Sequence, residues 1–227
     1  MTTDQRLRPT VLVAPLRSVV GAIFHTLARV RRAPAVHPRA QSFDATLVLD
    51  EQAHPFPTGT HRALAKLSKG AGTPGSRADV LGIAVRADLG TGLWDILFST
   101  AGQGRLTRWL PRPARSWDST SYSTLSPYAV GDRRLWMRLT ATGSDLGHAS
   151  VEALTREAPK EFTVSVAGRR DGWKPVGVLR LRSPRPDHPV IDPVLNHPAG
   201  LDLAPAWLRE LRELAYSSSR HGRKAEL

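Results

Sequence analysis

From Gln41 to Arg182 the apolar positions come in short runs that alternate with polar ones, and Gly, Pro, Asp and Ser punctuate the gaps. FDATLVLD at 43 to 50, HRALAKLS at 61 to 68, VLGIAVRADL at 80 to 89 and LWDILFST at 93 to 100 read as strands. RLWMRLTA at 134 to 141, FTVSVAG at 162 to 168 and VGVLRLR at 176 to 182 continue the series. Seven or eight strands at this spacing predict one antiparallel sheet closed into a barrel. Helical periodicity is confined largely to the ends. Val13, Leu16, Val20, Phe24 and Leu27 form a stripe within residues 10 to 32, with Arg17, Arg29, Arg31 and Arg32 largely off it. Residues 149 to 157, ASVEALTRE, predict a short helix capped by Ser150. The chain is then Pro-rich from Pro184 to Pro205, and a final helix follows.

The expected fold is therefore α+β, a closed antiparallel β-barrel of about eight strands with N- and C-terminal helices. Residues 1–35 form a basic amphipathic arm that packs on its own or a neighbouring subunit. Residues 36–185 form the barrel, and residues 186–227 the Pro-rich crossover and C-terminal helix. The apolar stretch from Val11 to Val30 is broken by Pro15, Arg17, His25 and Arg29, which fits neither a secretion signal nor stable membrane insertion. A cytoplasmic protein is expected.

Charge and composition narrow the chemistry. Lys+Arg 32 against Asp+Glu 20 gives a net charge of +12 across 227 residues, a balance that attracts anions. The arginines are scattered along the sequence and are not massed with aromatics on one segment, so no nucleic-acid partner is expected. A role for the basic surface on nucleic acid or a membrane stays as a lesser alternative. Cysteine is absent, which removes disulfides, thiolate metal sites and cysteine nucleophiles. No phosphate-binding GK[ST] loop, HExxH or GxSxG is present. The C-terminal peptide WLRELRELAYSSSRHGR, residues 207 to 223, would in a helix set Arg212 four positions before Tyr216, where a guanidinium favours the phenolate form. An ordinary surface helix, with Trp207 and Leu211 packed inward, accounts for the same spacing.

Several blocks, taken in order, resemble the haem catalases. Residues 63 to 100 are similar to the segment that runs from A-R-F-S-T through D-x-R-G-F-A-V-K-F to W-D-L-V-G-N-N. WKPVGVLRLRSP at 173 to 184 is similar to V-G-K-L-V-L-N-R-N-P, and IDPVLNHPAGLDLAPAW resembles F-D-P-x-N-x-x-P-G-I. The C-terminal peptide falls where that family has R-x-F-x-Y-x-D-T, and VHPRAQSFDA at 36 to 45 looks like V-H-A-K-G-A-G-A-F-G. The resemblance implies a cofactor, haem b, with Tyr216 as axial ligand of the iron and Arg212 as its charge partner. It also implies that Lys66 and Arg223 hold the cofactor, that His37 is the distal acid–base residue and Ser68 its orienting partner. Ser99 stands where the family has a distal asparagine, Lys66 replaces an arginine, and Ser218 and Ser219 replace Asp-Thr. Distal groups thinned in this way imply peroxidatic activity on a peroxide or organic hydroperoxide in preference to vigorous dismutation of hydrogen peroxide. A barrel that holds haem or a hydrophobic ligand without catalysis is the alternative.

Overall fold

The structure is a computed structural model that describes residues 40–105, 107–142, 146–155, 160–193 and 195–204. Ten strands carry it: β1 Ala40–Leu49, β2 Gly59–Lys69, β3 Leu81–Asp88, β4 Leu93–Thr100, β5 Ser121–Ser123, β6 Tyr128–Val130, β7 Arg133–Ala141, β8 Lys160–Ala167, β9 Lys174–Arg185 and β10 Asp202–Leu203. Eight of them, β1 to β5 and β7 to β9, close into an antiparallel ring, because β1 pairs with β2 on one side and β9 on the other while β7 pairs with both β5 and β8. Strands β6 and β10 extend from the edge of β7. The expected barrel is thus present.

Period-two alternation explains why these segments close as they do. Phe43, Leu47, Leu67, Ile83, Val85, Ile96, Met137, Leu139, Phe162 and Leu179 are buried on the inward face. Their strand neighbours, such as Lys66, Arg86 and Ser99, point outward and stay half-buried. Aromatic groups pack both ends. At one end Phe56 stacks on Trp94 at 5.8 Å between ring centroids, and Tyr128 meets both rings edge-on. At the other, Tyr122 meets Phe162 edge-on at 6.0 Å and donates its hydroxyl to the Trp117 carbonyl at 2.7 Å. Lys69, also buried there, donates to the carbonyls of Gly75, Arg77 and Ala149, fastening the Gly-rich turn and the 146–155 segment over that end.

Two expectations are corrected. The helix expected over 149 to 157 is a 3-10 turn, Glu152–Thr155; Ser150 does cap it, its hydroxyl oxygen accepting the Ala153 N–H at 3.1 Å. Among the described residues there is no α-helix, so the described fold is all-β, not α+β. The helices expected at 10 to 32 and 207 to 223 lie outside the described residues. No helix among the described residues is long and apolar enough to cross a membrane. One barrel strand, β5, was not among those expected.

Burial, with Asp118 nearby, pushes the Tyr122 phenol well above its ordinary value of 10.0. The folded chain then keeps a proton that the unfolded chain releases, so its contribution is complete below pH ~10 and declines as pH rises beyond that. Urea titrations from about pH 8 to about pH 11 should show the parent losing stability faster than Tyr122→Phe above pH ~10. At neutral pH the same substitution should cost about 1 kcal/mol for the lost hydrogen bond.

Candidate cofactor-binding face

Strand register sorts the outward-facing side chains of β1 to β4 into rows. One row runs Ala40, Ser68, Gly82, Ser99, and the next runs Ser42, Lys66, Ala84, Leu97. Ser68 and Ser99 therefore flank Gly82 on one face, two strands or about 10 Å apart. Gly82 keeps the floor between them low: a Cβ there would sit 3.3 Å from the Ser68 hydroxyl oxygen and 3.7 Å from the Phe98 carbonyl oxygen. With Ala40 and Ala84 alongside, the face is floored by small residues and bordered by hydroxyls. A flat group could lie against it. Lys66 stands half-buried in the neighbouring row.

Ser42 was not anticipated as a site residue. It is fully buried and shares a 2.8 Å hydrogen bond with Nδ1 of His188, which folds back from just beyond β9. Ser42 pairs across the sheet with Lys66, so the exposed His188 imidazole stands at the border of the same face. Arg185 secures the approach, reaching Asp44 at 2.7 Å and Asp187 at 2.8 Å.

A buried charge holds the crossover against the barrel. Asp95 lies on β4 with no exposed surface. Its Oδ1 accepts from Arg86 Nε at 2.7 Å, and its Oδ2 from Arg86 Nη2 at 2.6 Å, the Asp192 N–H at 2.6 Å and Asn196 Nδ2 at 2.9 Å. The backbone repeats the link, with the Asp95 N–H donating to the Asn196 carbonyl at 2.8 Å and Arg86 Nη2 to that of Val190 at 2.7 Å. The hydrogen bond to Asp95 raises the Arg86 pKa further above its usual value. The DPxxN stretch is thus a clasp that sets where the chain beyond residue 196 departs. An aspartate inside the apolar run LWDILFST was the available signal, because a charge on such a strand requires a partner.

Of the expected site residues, Lys66, Ser68 and Ser99 fall on this one face. His37, Arg212, Tyr216 and Arg223 lie outside the described residues. No cluster of three or more His, Asp or Glu able to hold a metal ion occurs among the described residues.

No family model matches the sequence, and no curated protein matches it. The fold has clear likenesses among solved structures. Catalase A from Saccharomyces cerevisiae superposes with a TM-score of 0.60 at 10% identity, covering 96% of this chain and 67% of its own. A fungal catalase superposes at 0.59 with 11% identity, covering 96% of this chain and 65% of its own. This chain thus spans about two thirds of the length of those proteins, and what it shares with them is the catalase-like β-barrel fold.

The clasp should dominate stability. Asp95→Ala strands the Arg86 guanidinium and two further donors, and should cost about 3–5 kcal/mol in urea unfolding. Arg185→Ala, which breaks exposed pairs, should leave the urea midpoint nearly unchanged.

Proposed function

We propose that this chain binds haem b against the outward face of β1 to β4 and acts on peroxides, organic hydroperoxides above all. The observation that carries the reading is the Ser68, Gly82, Ser99 row on a barrel of catalase-like fold: a small-residue floor suited to a planar ring, with hydroxyls at its border. Tyr216 would bind the iron, Arg212 would moderate the charge on its oxygen, and Lys66 and Arg223 would neutralise propionates. Lys66 supplies charge without the two-pronged geometry of an arginine, so it anchors less rigidly. Haem, when bound, supplies a redox-active iron that reacts with the peroxide bond.

The chain's own part is to handle protons and shape access. His37 is assigned the removal of the peroxide proton and its return to the leaving oxygen, a role worth about 10²- to 10⁴-fold. Ser68 would fix that imidazole by one hydrogen bond. Ser99 can offer the substrate a single hydroxyl donor where an amide would reach further, which supports slow turnover of bulky hydroperoxides over fast dismutation. His188, oriented by Ser42, is a second imidazole beside the same face. A barrel that holds haem without turnover is the competing reading, favoured by the same missing amide.

Absorption spectra decide first. Protein expressed with haem supplied should show a Soret band, and a colourless product removes the proposal. Tyr216→Phe should lose tightly held haem, measured as iron per chain, with the barrel still folded. Equal loading would dismiss Tyr216 as the ligand. Gly82→Val should retain the fold yet load haem about tenfold less well, since its side chain would rise from the floor against Ser68. His37→Ala should slow hydroperoxide turnover at least about 100-fold with the Soret band kept. If His188→Ala alone has that effect, the proton-transfer role passes to His188.

A further inference from the structure

The opposite side of the barrel carries a stack of cations and indoles assembled from three segments far apart in sequence. Arg108, buried to 1% exposure, lies with its guanidinium carbon 5.2 Å from the Trp136 ring centre and 5.0 Å from that of Trp173. Arg138 also lies over Trp173, at 4.6 Å from the ring centre, and Trp109 leans on Trp136 with centroids 6.4 Å apart. Hydrogen bonds lock the segments together: Arg108 Nη1 to the Gly168 carbonyl at 3.1 Å, Trp173 Nε1 to that of Gln103 at 3.4 Å, and Trp109 Nε1 to that of Arg105 at 3.2 Å. The loop between β4 and β5 is thereby pinned, and it holds Trp109 and Leu110 out as neighbouring exposed side chains at 38% and 36%.

The segments that meet here carry several exposed cations. The loop contributes exposed Arg105, and the turn after β8, to which Arg108 is bonded, contributes exposed Arg169, Arg170 and Lys174. Pairing of Trp136 with Ala167 brings the start of β7 beside the same turn, and with it the exposed Arg133 and Arg134. Asp118, Asp132 and Asp171 are the acids in these segments.

We infer that this edge is a docking surface for an anionic lipid bilayer, with Trp109 and Leu110 entering the headgroup region and the surrounding arginines and lysine resting on acidic headgroups. Tryptophan and leucine side by side within a basic rim are the composition that settles at a bilayer interface. Single-stranded nucleic acid carries the same charge but needs free aromatic faces for its bases. Here Trp173 is already engaged by Arg108 and Arg138, and Trp136 by Arg108 and Trp109, which leaves Trp109 as the exposed indole of the stack. Leucine offers bases no platform. This surface stands apart from the proposed haem chemistry and does not depend on it.

The test uses the full chain with sedimented vesicles of phosphatidylcholine, alone or mixed with phosphatidylserine. The parent should bind the mixed vesicles and not the neutral ones. Binding should fall as salt rises from about 0.1 M to about 1 M, which shortens the screening length from about 10 Å to about 3 Å. Trp109→Ser combined with Leu110→Ser should weaken binding about tenfold or more. Arg169→Glu combined with Arg170→Glu, both at exposed positions, should do likewise and guards against misfolding of the first variant. Binding unchanged in the charge-reversed variant would assign it to another part of the chain and overturn the inference. So would a parent that ignores mixed vesicles, or one that prefers single-stranded DNA to them.

Discussion

One carboxylate, that of Asp95, decides how the two parts of the described fold meet. A charge with no exposed surface is tolerated only when donors replace its water, and Asp95 has four, from Arg86, the Asp192 backbone and Asn196. Those donors come from β3 and from the crossover, so satisfying the charge also fixes the crossover on the barrel. Burial makes the group costly, and moving Asp192 or Asn196 away would leave it short of donors. The small-residue face includes the same two strands, β3 and β4. Its position relative to the crossover therefore follows from this clasp.

The barrel divides its labour. Around Gly82 the outward face of β1 to β4 is small and hydroxylic, whereas that of β7 and the β8–β9 turn is built from tryptophan and arginine. Alternation leaves both faces free to differ while the inward positions share one core. The proposed cofactor binding and the proposed surface attachment would thus use one ring of strands without competing for residues.

Much of this was legible in the sequence, for identifiable reasons. Long alternating runs such as HRALAKLS announced their strands, because each buries every second residue. Strand β5 did not, since Ser121–Ser123 is too short to show a period and owes its place to neighbours on both sides. Ser68 and Ser99 could be singled out by resemblance, while the register that sets Gly82 between them belongs to the folded sheet. Ser42 and His188 were invisible as a pair, being 146 residues apart. The scattered arginines looked diffuse along the chain, yet folding joins the segments that carry the exposed Arg105, Arg133, Arg134, Arg169, Arg170 and Lys174 with the loop that holds Trp109 and Leu110.

The ring is not equally fastened all the way round. Strands β1 and β2 share ten paired residues, whereas β4 and β5 share two, Ser99 with Ser123 and Thr100 with Tyr122. Opening of the ring would therefore cost least at that seam, where the fewest paired residues join neighbouring strands. Ser99 stands on its lip. The shortest strand of the ring thus sets where the wall has least to lose by opening, and that place borders the small-residue face.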